Sequence, residues 1–275
     1  MPERYANLVR LSSRGVCAAP PCLGPRKIAG PKGKNAGSKA MGYVFAAPGQ
    51  AVLPVVGTTD LLPVRRIYCV GRNYAEHARE MGHSERESPF FFGKPADAML
   101  VMSGGAGAVL AYPEQTADLQ YEVELVVAIG RAGANIAVEN AGAHVWGHAV
   151  GIDLTRRDLQ STLKKQGRPW EVSKSFDHSA PITAVVPAKG AGPYQKGRIW
   201  LDVNGVRRQE SDVALMIWSI PEIISHLSRY VAIAPGDLIF TGTPAGVSSI
   251  VVGDVLSGGV EGIGTFRLEV VRGKG

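Results

Sequence analysis

A strand-rich α+β fold is the class this sequence predicts, on three observations. Its 34 Gly and 18 Pro among 275 residues interrupt the chain too often for a mostly helical bundle, and too aperiodically for collagen or low complexity. Short β-prone runs bounded by turn residues recur from Arg66 to the end of the chain. There is no internal repeat, and strands and helices do not alternate as they would in a doubly wound sheet. With 45% hydrophobic and 20% charged residues, this is the composition of a soluble globular protein, long enough to bury a core without disulfides.

Each element follows from local chemistry. Arg66 to Val70 is β-prone. Gly71 follows, then Asn73, which with Glu76 three residues on has the pattern of a capping box and opens a short helix through Met81. Gly82 to Pro89 is polar and rich in breakers, and reads as a mobile loop. Phe90 to Phe92 and Val109 with Leu110 read as short strands. Leu119 to Ile129 is the clearest strand. His148 to Ile152 is another, leading into a helix capped by Thr155 and Asp158 and running to about Gln166. Between Ile199 and Arg208, Asn204 and Gly205 separate two β-prone runs, a hairpin signal because both residues accept positive φ. Pro221 heads a helix over Glu222 to Tyr230. Pro235 and Gly236 turn the chain into the strand Leu238 to Phe240, and glycine-punctuated strand completes it.

The net charge of +6 is unevenly placed. Residues 1–40 carry eight Lys and Arg against Glu3 alone, so they hold +7 and the remainder −1. A nucleic-acid face is therefore not expected of the folded body. Rich in Pro, Gly, Ser and basic residues and without apolar periodicity, residues 1–40 read as a disordered extension, and 41–65 as a short N-terminal segment. From Ala40 to Thr59 no residue is charged, but Pro48, Gly49, Gln50 and Pro54 interrupt the stretch, leaving no run near the roughly 18 apolar residues of a membrane span. Cys17 and Cys22 lie in the basic tail and Cys69 in an apolar run, which is neither a disulfide framework nor a CxxC metal site; a reducing, cytoplasmic setting is expected.

The chemistry concentrates in a few segments. In Leu119 to Ile129, strand geometry puts Glu122 and Glu124 on one face, about 6–7 Å apart. Val126 and Ala128 continue that face, while Tyr121, Val123 and Leu125 take the other. Two carboxylates on a face that turns apolar repel each other and lose hydration, so they require a cation or raised pKa values. Read alone, the segment equally suits a strand end reaching water. Asp153 sits where an apolar run meets the start of a helix, a place for a ligand site or for an ordinary turn former. Three carboxylates without a thiolate would favour Mg²⁺ or Mn²⁺. His77 and Glu80 share a helical face, as a base oriented by a carboxylate or as a surface pair. Lys174 interrupts apolar stretches, and Thr241 to Val247 is a glycine-bearing loop suited to close ligand approach or to a simple turn.

In order along the chain, GRNYAEHARE (71–80), YEVEL (121–125), GIDLTRRDLQ (151–160), SKSFD (173–177), SIPEIISHLS (219–228), GD (236–237) and TGTPAGV (241–247) resemble the fumarylacetoacetate hydrolase family. The resemblance covers roughly Arg66 to Val271, with a looser likeness to bacterial fumarylpyruvate hydrolases beginning at Met41. It implies a mixed β-roll over a catalytic domain at 66–275, a homodimer, and a divalent-metal enzyme that cleaves a carbon–carbon bond in acylpyruvates, fumarylpyruvate foremost. Carried over by position, the metal carboxylates are Glu122, Glu124 and Asp153, the water-activating pair His77 and Glu80, and the substrate or transition-state contacts Arg157, Gln160, Lys174 and Thr243. Larger relatives add a fourth carboxylate ahead of the histidine. Ile67 to Ala75 contains no acid, so a water would take that place.

In such a site the ion would hold a 2-oxo acid and stabilise the departing pyruvate enolate, while His77 takes a proton from water and Lys174 and Gln160 stabilise oxyanion charge. The same residues would serve decarboxylation of oxaloacetate or an oxo-tricarboxylate, or isomerisation of a 2-hydroxy-diene acid. A non-catalytic 2-oxo acid binding protein is the remaining class. Substrate chain length should depend on residues among Glu85–Phe92 and Arg157–Trp170.

Overall fold

The computed structural model describes residues 43–80, 87–102, 107–188 and 194–273, with the side chains of Ala78 and Glu80 outside the described set. Residues 48–275 form one compact unit. The segment 1–40 and most of the loop Gly82 to Pro89 lie outside the described residues.

A mixed eight-stranded sheet carries the architecture. Its order is β4 (Phe90–Lys94), β3 (Arg66–Gly71), β15 (Asp237–Phe240), β8 (Val123–Ile129), β9 (Val145–Ile152), β11 (Ala180–Thr183) and β5 (Met99–Met102), with β12 (Val186–Pro187) also paired to β9. β3 with β15 and β11 with β5 are parallel, and the other pairs antiparallel. A five-stranded sheet runs β14 (Val206–Asp212), β13 (Arg198–Val203), β17 (Val255–Val260), β18 (Gly264–Val271), β6 (Ala108–Ala111). Smaller sheets pair β1 (Val52–Pro54) with β2 (Leu61–Pro63), and β7 (Leu119–Gln120) with β10 (Thr155–Arg156) and β16 (Ser249–Ile250). The helices of the described residues are α1 (Ala75–Glu80), α2 (Val138–Ala141), α3 (Arg157–Lys165), α4 (Glu171–Lys174) and α5 (Ile220–Tyr230). The strand-rich α+β class and its curled mixed sheet are as expected from the sequence.

β8 explains why there are two cores. Every residue of it is buried, and its side chains alternate between clusters. Val123, Leu125, Val127 and Ile129 pack with β13, β17, β18 and α5, through Leu201, Leu256, Leu268 and Ile223 among others. Val126 and Ala128 enter a second cluster with Ile67, Leu238 and Phe240, which also takes in Leu53 and Leu62 of the β1–β2 hairpin. The hairpin signal at 204–205 is realised with φ of 52° at Asn204 and 78° at Gly205. Ser219 and Glu222 form a capping box at the head of α5, with Pro221 in its first turn.

Three local expectations are corrected. Leu119 to Ile129 is broken at Tyr121 and Glu122, so the two glutamates do not lie on one continuous strand. Thr155 does not cap α3 but pairs in β10, whereas Asp158 accepts from the Leu159 N–H in the first turn of α3 at 2.8 Å and also from Thr116 and the Ala117 N–H, tying down a neighbouring loop. The Asn73 side chain is drawn away from α1 by longer-range partners, the carbonyls of Trp218 and Thr241 (2.9 and 2.8 Å) and the N–H of Trp218 (2.7 Å). Among the described residues no helix is long and apolar enough to cross a membrane.

His148 of β9 is buried, and its Nε2 accepts from the Tyr194 N–H at 3.1 Å, which requires the neutral ring. Burial lowers its pKa from 6.5 to about 4. The neutral form is thus favoured in the fold, and the associated stability is present above pH 6.5 and lost as pH falls through 4. The expected loss is about 2–3 kcal/mol between those limits. Denaturant titrations of wild type and H148Q across this range check it: the variant should show a shallower decline, and parallel curves would assign the slope to other groups.

Candidate active site

Glu124 lies near the start of β8, Glu122 in the break before it, and Asp153 just past the end of β9. Antiparallel pairing of β8 with β9 brings these ends together, and the Asp153 N–H donates to the Glu122 carbonyl at 2.8 Å. The three residues are 6, 2 and 1% exposed, and one carboxylate oxygen from each lies within 4.8 Å of the others. The carboxylates therefore converge although Glu122 lies in the strand break and Glu124 on β8.

Three buried or half-buried cations answer these acids. Lys174, from α4, places its Nζ 2.8 Å from Glu122 and 2.9 Å from Asp153. Lys94, at the end of β4, places its Nζ 2.9 Å from Asp153 and donates to the carbonyls of Leu154 (3.2 Å) and Lys174. Arg157, the first residue of α3, pairs with Glu122 and donates at 2.7 Å to both Gln120 and Gln160. Burial alone would raise the Glu122 carboxyl, but Lys174, Arg157 and His77 outweigh it and hold the pKa far below the carboxylate range. Among the described residues no cation forms an ion pair with Glu124, and Lys174 acts on it only weakly. Burial, with Asp153 and Glu122 beside it, pushes its pKa well up, against one opposing hydrogen bond from the Gly242 N–H at 2.7 Å. Lys174 is disfavoured by burial, yet Asp153 and Glu122 raise it on balance. An all-oxygen donor set with one carboxylate forced toward protonation fits a hard divalent cation, which would relieve the repulsion.

The loop after β15 is held against this cluster by residues that the sequence did not single out. Gln209 of β14, fully buried, accepts from the Val123 N–H (3.0 Å) and donates to Thr243 Oγ and the Pro244 carbonyl (both 2.8 Å). Thr243 Oγ in turn donates to the Val123 carbonyl at 2.9 Å, so its hydroxyl is largely committed to holding the loop. Gly242 has φ +98°, and a Cβ there would stand 2.6 Å from the Asn73 Cβ, which is why this N–H can reach Glu124. A polar residue in the run Arg207 to Asp212 gives no sign of burial in a single sequence, so Gln209 was not legible. Lys94, closing an aromatic run, was equally silent.

Around the acids, one small cavity of 50 Å³ is lined by His77, Glu122, Glu124, Asp153, Lys174, Thr243, Arg157 and Gln160, and at its mouth by Arg72, Phe90, Phe92 and Trp170. That space holds only a few waters. The structure therefore brings together every residue expected at the site except Glu80, whose side chain lies outside the described residues. His77 is buried on α1. Phe90 and Phe92 meet Trp170 at ring-centroid distances of 5.6 and 6.4 Å, forming an apolar wall.

Residues 66–271 match the fumarylacetoacetate (FAA) hydrolase C-terminal family. This chain belongs to the fumarylacetoacetate hydrolase family. Its structure is similar to the crystal structure of fumarylpyruvate hydrolase from Pseudomonas aeruginosa in complex with Mn²⁺ and pyruvate, with a TM-score of 0.82 and 50% identity, covering 84% of this chain and 100% of that one. Among curated relatives, the fumarylpyruvate hydrolase of Ralstonia sp is 41% identical over 184 residues (67% of this chain, 93% of the relative). The mitochondrial oxaloacetate tautomerase FAHD1 of Rattus norvegicus is 40% identical over 210 residues (76% of this chain, 93% of the relative). Fumarylacetoacetate hydrolase family relatives thus include enzymes that hydrolyse and enzymes that tautomerise.

Gly242→Ala tests how the acids are held. The added methyl collides with Asn73 and strains a left-handed backbone, moving the N–H that faces Glu124. The expected result is a loss of about 1–3 kcal/mol of stability and roughly tenfold weaker Mn²⁺ binding by calorimetry. Unchanged Mn²⁺ affinity would show that this N–H does not set the ligand geometry.

Proposed function

We propose that this protein hydrolyses an acylpyruvate, fumarylpyruvate foremost, to a carboxylic acid and pyruvate, with Mg²⁺ or Mn²⁺ held by Glu122, Glu124 and Asp153. One observation carries the reading: three buried carboxylates within 4.8 Å share a small cavity with His77, Lys174, Arg157 and Gln160, on a chain 50% identical to a fumarylpyruvate hydrolase.

When bound, the divalent ion supplies Lewis acidity toward the oxygens of a 2-oxo acid. His77 takes the proton of the attacking water, with Glu80 three residues on in α1, and His77 and Glu122 act on each other electrostatically. Lys174 carries a fixed positive charge at the cluster and stabilises the oxyanion that develops at the attacked carbonyl. Gln160 has its Oε1 committed to Arg157, leaving the NH₂ group as the donor end. Arg157 holds both Glu122 and Gln160 in place, and the Thr243 loop closes the pocket. Collapse of the oxyanion breaks the bond between the attacked carbonyl and the methylene carbon of the pyruvate half, and the proton that His77 took from water passes to that carbon to give pyruvate.

The charge count supports this substrate class. With Glu124 ionised, three acids face Lys94, Lys174 and Arg157, so a dication leaves an excess of +2, which the carboxylate and enolate of an acylpyruvate head neutralise. The second reading is tautomerisation or decarboxylation of oxaloacetate at the same site, favoured by the 40% identity to the rat tautomerase. The homodimer and the cytoplasmic setting expected from the sequence belong to the first reading; sedimentation and fractionation test them.

Loss of ultraviolet absorbance from fumarylpyruvate, with pyruvate formed in equal amount only when Mg²⁺ or Mn²⁺ is supplied, is the expected result. The H77N variant should be slower by about 10²–10⁴-fold. Turnover of oxaloacetate with fumarylpyruvate left intact would transfer the assignment to the second reading.

A further inference from the structure

A cavity of 50 Å³ leaves room for little beyond an ion and the head of a 2-oxo acid, so on the acylpyruvate reading the acyl chain extends to the mouth. Two cations line that end, the exposed Lys164 of α3 and the half-buried Arg72, and Arg72 is the one set over an aromatic ring among the described residues. Arg72 follows β3 with φ +57°, a left-handed conformation that a bulky residue adopts only where the surroundings hold it. Gly71 before it leaves room for the Phe90 ring, since a Cβ there would stand 1.9 Å from Phe90 Cζ. The guanidinium carbon lies 5.2 Å from the Phe90 ring centroid. At the mouth, the Arg72 carboxylate contact among the described residues is a loose one, 3.4 Å to the exposed Glu87. Deeper in the cavity, Arg157 and Lys174 are committed to Glu122 and Asp153 at close range.

We infer that Arg72 binds the far carboxylate of a dicarboxylic acyl chain, with Phe90, Phe92 and Trp170 receiving the carbons between, and so sets the preference for acids charged at both ends. This rests on the acylpyruvate reading and deepens it: a planar guanidinium over an aromatic ring presents two parallel N–H donors to a carboxylate, and the substrate takes the place that Glu87 occupies loosely. No proton or covalent step is assigned to Arg72; it is a specificity residue.

The test compares charged and uncharged far ends on the Mn²⁺ holoenzyme. Wild type should bind fumarate about tenfold or more tightly than monomethyl fumarate by calorimetry in the presence of pyruvate, and R72M should erase that difference. R72K, which keeps the charge and loses the fork, should fall between them. In turnover, R72M should raise KM for fumarylpyruvate by about 30-fold with kcat little changed, and leave acetylpyruvate within twofold. Equal losses on both substrates, or a dicarboxylate preference that survives in R72M, would overturn the inference. Were wild type to cleave neither acylpyruvate, the hydrolase reading would fail by itself, and the binding comparison would still decide the role of Arg72.

Discussion

The burial of three carboxylates against one another is the constraint to which the rest of the molecule responds. Glu122, Glu124 and Asp153 lie within 4.8 Å and almost wholly out of water, an arrangement that like-charge repulsion and desolvation both oppose. Two lysines and an arginine offset Glu122 and Asp153, and each cation is delivered by a different element: Lys94 by β4, Arg157 by α3, Lys174 by α4. Glu124 is the acid left over, with one backbone N–H for company. With Glu124 ionised the three acids and three cations cancel, and burial opposes that ionisation.

The supporting groups are as long-range as the acids. Asn73 ties the end of β3 to Trp218 and Thr241, and Gln209 ties β14 to both the start of β8 and the loop after β15. Both side chains are fully buried and fully employed, so each substitutes for backbone pairing where the sheet gives way to the site.

Much of this was legible beforehand, for physical reasons that differ by residue. The β-prone run ending in Val123 to Ile129 marked a strand because period-two patterning survives in one sequence, and Asn204 with Gly205 marked a hairpin because the turn dictates its residues. The acids stood out because a face that turns apolar leaves two carboxylates short of hydration, while His77 took its role from the ordered motifs and not from any local signal of burial. Asn73 and Thr155 read as helix caps because capping is a local rule, and it lost to tertiary partners that no local rule contains, whereas Asp158 serves both the first turn of α3 and a distant loop. Lys94, Gln209 and Arg72 gave no signal, since a lysine, a glutamine or an arginine bordering polar residues looks solvated until distant segments fold onto it.

The position of β15 has a consequence for biosynthesis. This strand comes from the last fifth of the chain yet lies in the middle of the large sheet, between β3 and β8. During vectorial synthesis the earlier strands emerge with a gap at their centre, and the loop that braces Glu124 emerges later still. The nascent polypeptide therefore cannot complete its large sheet until Asp237–Phe240 has emerged, so final closure waits for nearly the whole chain.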